Sequence, residues 1–83
     1  MLMKHIILAQ NISTAKDGLE DIIKNLDILN NSKIKHTLHS KDIKINTNYY
    51  LDKLTKDNIS IGEVDEILNF ISKQHKAIFD IFS

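Results

Sequence analysis

The chain has 83 residues, no cysteine, and no net charge with histidine neutral. These facts exclude a disulfide-stapled scaffold, a thiolate metal centre, and a global field that would attract nucleic acid or acidic lipid. A single domain of this length buries only about 60–65% of its unfolded surface, so partner binding or self-association is a ready source of further stability.

Residue usage is lopsided. Fifteen residues are Ile, eleven Lys and eight Asn, while Arg, Pro and Trp are absent. An AT-rich genome accounts for this usage and makes the isoleucines poor evidence for strands. Without arginine no guanidinium fork can grip phosphate or carboxylate at two points.

The chain opens with "MLMKHIILAQNI". This apolar run is too short and too soon interrupted for a membrane span, and it lacks the cleavage site of a signal peptide. The expected location is therefore the cytoplasm. From Leu8 a heptad-like seam follows: Ile12, Ala15, Leu19, Ile22, Leu26 and Leu29, spaced four and three apart. Ile6, Ile7, Ile23 and Ile28 widen it, as in a helix packed among others. Glu20 and Lys24 are spaced to pair, and "NNSK" from Asn30 is a natural stop. Asn11 to Thr14 are mediocre helix formers, so a strand over 3–9 and a later helix start is the alternative. The unbroken seam favours one helix over about 2–31.

The middle of the chain is less regular. Ile34, His36 and Leu38 alternate, as do Ile43 and Ile45, which fits a small hairpin over 33–46 or an irregular connector. "TNYYLDKLTKDN" then reads as a short helix near 47–57, capped by Asn46 or Thr47, with Tyr50, Leu51 and Leu54 inward. Segment 33–44 sets Lys33, Lys35, Lys41 and Lys44 against Asp42, a local charge of +3.

The last third carries a second seam: Ile61, Val64, Leu68, Ile71, Ala77–Ile78 and Phe82, with Ile67, Phe70 and Ile81 alongside and His75 its non-apolar position. Ser60 and Glu63 have capping-box spacing, and Ile59 precedes them at the hydrophobic-staple position. Gly62 within the first turn costs up to about 1 kcal/mol relative to Ala, and a close approach by another backbone is one reason to keep it.

Several chemical readings compete with this scaffold. Asp52 and Glu63 stand at positions 1 and 12 of a calcium-type loop, but Leu54 and Lys56 occupy positions that need oxygen ligands. Helix–turn–helix proportions across Tyr50–Phe70 meet an acidic second helix start (Glu63, Asp65, Glu66) that DNA phosphates would repel. His36 and His39, with His75 and Asp42, lack the support of a metal motif. No nucleophile elbow or phosphate-cradling loop is present in the sequence. The expectation is no metal, no cofactor and no enzymatic activity.

What remains is apolar surface. "HKAIFDIFS" crowds Ile78, Phe79, Ile81 and Phe82 around the helix. The fold expected is all-α, one domain over 1–83: a helical hairpin or small three-helix bundle, with long helices near 2–31 and 60–82 packed antiparallel. The alternative is α+β, with strand 3–9 and hairpin 33–46. The function expected is a non-enzymatic protein–protein interaction module (an adaptor, regulator or secretion-type chaperone) that self-associates or binds a protein partner through Phe70, Ile78, Phe79, Ile81 and Phe82. The alternative is a nucleic-acid-linked regulator using Lys33, Lys35, Lys41 and Lys44.

Overall fold

The computed structural model describes residues 2–32, 38–56 and 58–82. Every regular element among them is a helix: α1 (Leu2–Asn31), α2 (Ser40–Leu54) and α3 (Ile61–Phe82). At about 1.5 Å per residue, α1 runs some 45 Å. It sets the long dimension of a molecule measuring 50 × 22 × 16 Å.

The α1 seam forms as its spacing predicts. Ala15, Leu19, Ile22, Leu26 and Leu29 are all buried, and Leu8 and Ile12 pack against them. Helix continues through Asn11–Thr14 and through 3–9. Burial of one continuous stripe outweighs the weak propensities there, so the strand alternative does not form. Ser32 closes the helix, its backbone N–H and hydroxyl both donating to the Leu29 carbonyl, at 3.2 Å and 2.9 Å. Glu20 and Lys24 do not pair.

The middle helix departs from expectation. It begins at Ser40 rather than near 47 and ends at Leu54. The part of the expected hairpin over 33–37 lies outside the described residues, whereas 40–46 is helical. Ile43, Tyr50, Leu51 and Leu54 pack into the core while Ile45 is exposed, a period of three to four rather than two. Thr47, expected as a cap, sits buried mid-helix, and its hydroxyl donates to the Ile43 carbonyl at 2.7 Å. That bond satisfies a hydroxyl that would otherwise be buried without a partner.

The third helix opens as its sequence predicts. The Glu63 N–H donates to Ser60 Oγ at 3.1 Å, and the Ser60 N–H donates back to Glu63 Oε1 at 3.3 Å. Ile59 and Val64 are both buried in the common core. The buried stripe of α3 is Val64, Ile67, Ile71 and Ile78. It is rotated toward Ile67 from the expected seam, leaving Ile61 and Phe82 exposed at its ends.

Helix α1 contacts both α2 and α3. The Lys44–Asp27 ion pair (3.5 Å) lies near the link between α1 and α2, so α2 returns antiparallel along α1. Between α2 and α3, the contacts step from Lys53–Glu63 to Tyr50–Phe70, again antiparallel. Helices α1 and α3 therefore run parallel, which corrects the antiparallel expectation. The contacts agree: Gly18 meets Ile71, and further along both helices Asp21 and Asn25 share a groove with Ile78 and Phe82. The close approach falls at Gly18. At Gly62, for which a close approach was one of two explanations, a Cβ would have only Ser60 Oγ within 4 Å among the described residues, at 3.9 Å.

Candidate interaction surface

The five residues singled out in the last helix separate by direction. Helix geometry turns about 100° per residue, so neighbours in sequence face different surroundings. Ile78 points into the core and is buried. Phe70 and Ile81 lie on the edge of α3 toward α2 and are half-buried, and the Phe70 ring tilts against Tyr50 at a centroid distance of 4.9 Å. Phe79 and Phe82 are left open, at 68% and 47% exposure.

These two rings border a groove between α1 and α3 of about 360 Å³, lined by Asp21, Asn25, His75, Ile78, Phe79 and Phe82. His75 is the interrupted seam position of the sequence. Its ring is half-buried, and Nε2 has no hydrogen-bond partner among the described residues. Ile28, three residues beyond Asn25, continues the α1 wall and is 54% exposed. Sequence reasoning placed Ile28 in the widened seam. A wheel would have shown it roughly 140° from the Ala15–Leu29 stripe.

A second cleft, about 390 Å³, opens where α2 hands over to α3. It is lined by Tyr49, Asp52, Lys53, Lys56, Asn58, Ile59 and Glu63. Lys53 organises it. Its Nζ lies 3.2 Å from Glu63 Oε2 and 5.6 Å from the centre of the Tyr49 ring. Hydrogen bonding to Lys53, then to the Ser60 backbone and hydroxyl, holds the Glu63 carboxyl below its ordinary range. The same bond to Glu63 raises Lys53 against the opposing effect of burial. Asp52 and Glu63 do line one cleft, but Glu63 is already engaged by a cation and a helix cap. Among the described residues no three His, Cys, Asp or Glu side chains are grouped to hold a metal.

Of the suggested basic patch, Lys33 and Lys35 lie outside the described residues, as does His36 of the histidine pair. Lys41 and Lys44 are exposed on α2, and Lys44 is held by Asp27. No described helix is long and apolar enough to cross a membrane. In comparisons with known proteins, no family model, curated protein or solved structure matches the chain.

Proposed function

We propose that the protein is a non-enzymatic protein–protein interaction module, a small helical bundle that self-associates through an apolar helix face. The observation that carries this reading is the exposure of Phe79 and Phe82 on the rim of an open groove. Clustered aromatic side chains left in water are costly alone and are the usual anchors of protein contacts. The contact surface therefore narrows to Phe79 and Phe82. Ile78 supports it from beneath, and Phe70 and Ile81 hold α3 against the rest of the fold. A nucleic-acid-linked role through the lysines of 33–44 has less support, because Lys44 is already paired with an acid.

The test is Phe79→Asp with Phe82→Asp. The double variant is expected to abolish association in light scattering while its circular dichroism remains that of the parent. A parent chain that is monomeric at millimolar concentration and recovers no partner removes the reading.

A further inference from the structure

We infer that the partner is a second copy of this chain, docked through the face shared by α1 and α3, with the two copies parallel and α1 of each lying on α3 of the other. This rests on the proposed self-association and gives it a geometry.

The face has a regular plan. Gly18 and Ile71 mark one level along both helices. Counting back at about 1.5 Å per residue, Ile7 on α1 and Ile61 on α3 both lie about 15–17 Å below that level. They are 51% and 53% exposed. Counting forward, Ile28, Phe79 and Phe82 lie about 12–17 Å above it. At about 100° per residue, Ile7 lies within about 20° of Gly18 on the edge toward α3, and Ile28 lies about 80° outward from Gly18, in line with Asp21. Each end of the face thus carries apolar groups from both helices, at matching heights.

Charge then selects the direction of pairing. Between the apolar ends, the α1 side presents Asp17 and Asp21 and the α3 side presents Lys76, all three exposed and none in an ion pair among the described residues. Asp21 and Lys76 differ in height by only about 3 Å, from the same count. They sit on separate helices, Asp21 on the α1 wall of the groove and Lys76 outside its α3 lining. A two-fold axis parallel to the helices lays α1 on α3 of the second copy. Asp21 then faces Lys76, Ile28 faces Phe79 and Phe82, and Ile7 faces Ile61, each twice. An antiparallel two-fold lays α1 on α1 instead and brings Asp21 within a turn of Asp17 of the other copy, acid against acid. A closed two-fold contact must be self-complementary, and only the parallel arrangement makes this face so.

The experiment combines charge reversal with a distance. Sedimentation equilibrium of the full chain should give a dimer. Asp21→Lys and Lys76→Asp should each weaken it about tenfold, and the chain carrying both should regain it, since the reversed charges meet again. The chain has no cysteine, so Asn30→Cys takes a single spin label. Parallel docking places the two labels within about 30 Å, whereas antiparallel docking separates them by about 36 Å or more. A dimer indifferent to both reversals, a double variant that stays weak, or the longer label distance overturns the arrangement. If such a dimer is still lost with Phe79→Asp and Phe82→Asp, self-association through the aromatic rim stands and only this geometry falls. A parent chain that stays monomeric overturns both.

Discussion

Gly18 of α1 lies directly against Ile71 of α3: a methyl group at the glycine would stand 2.9 Å from Ile71 Cγ2 and 3.1 Å from Cδ1. The nearer atom belongs to the β-branch, which a helix holds in essentially one rotamer, so it cannot swing aside. Alanine gains about 1 kcal/mol of helix propensity, but overpacking costs about 1–3 kcal/mol. Gly18→Ala is therefore expected to lose on the order of 1 kcal/mol net. Ile71→Leu moves the branch away from the glycine. Urea denaturation of the double variant should recover part of the loss, and additivity within about 0.5 kcal/mol would deny the contact.

Ile78 and Phe79 are adjacent, yet only the first is core, with 3% exposure against 68%. Ile78→Ala should cost the folded monomer about 2–4 kcal/mol, whereas Phe79→Ala should change it by less than about 0.5 kcal/mol. Denaturation at high dilution, where association is absent, separates the two. Equal losses would mean that α3 is rotated from its described orientation.

The glycine of the α3 entry behaves differently from Gly18. An added Cβ at Gly62 meets only Ser60 Oγ at 3.9 Å, ordinary contact. Gly62→Ala should raise stability by up to about 1 kcal/mol through helix propensity. Ser60→Ala, which removes the side-chain acceptor for the Glu63 N–H, should lower it by about 0.5–2 kcal/mol. Thermal melts of both variants moving in one direction would contradict the described cap.

Much of the fold was legible in the chain, for identifiable reasons. The α1 stripe from Ala15 to Leu29 is apolar without interruption, and the Ser60–Glu63 cap needs only local geometry. The start of α2 was hidden because Thr47 breaks its stripe and Ile43 with Ile45 imitates strand alternation. The rotation of α3 was ambiguous because isoleucine and phenylalanine occur nearly all round it, so several stripes fit. The parallel course of α1 and α3 could not be read at all: a heptad seam has no direction, and what decides it is that α2 spans 15 residues and carries the chain back. The aromatic end was visible as a candidate surface, but its division into core, edge and rim depended on that rotation.

Thr47 shows how the polar group in the α2 stripe is tolerated. Its hydroxyl donates to the Ile43 carbonyl, four residues back, an acceptor in the helix's own ladder. Thr47→Val keeps the shape and leaves no donor unsatisfied, so its stability should stay within about 1 kcal/mol of the parent. Thr47→Ser keeps the hydroxyl but deletes a buried methyl and should cost about 1 kcal/mol. A much larger loss for valine than for serine in chemical denaturation would assign the hydroxyl a further partner.

The Lys53–Glu63 pair gives stability a defined pH dependence. The Glu63 carboxyl titrates below its ordinary value of 4.5, mainly because Lys53 hydrogen-bonds to it. A lowered carboxyl contributes stability above the unfolded value and loses it as pH falls through the folded one. Lys53 titrates above its ordinary value of 10.5 for the reciprocal reason. Its contribution is complete below that value and disappears as pH rises through the raised one. Glu63→Gln removes the charge but retains an amide oxygen that can still accept from Ser60, since glutamine also serves in a capping box. The stability difference between parent and Glu63→Gln should therefore be level between about pH 6 and 9 and close toward acid, below the ordinary carboxylate range. Both side chains reach solvent, so about 1 M salt should shrink the level part as well. Denaturant midpoints across that range measure the difference, and one that persists unchanged at pH 2 would place the effect of residue 63 in packing rather than in charge.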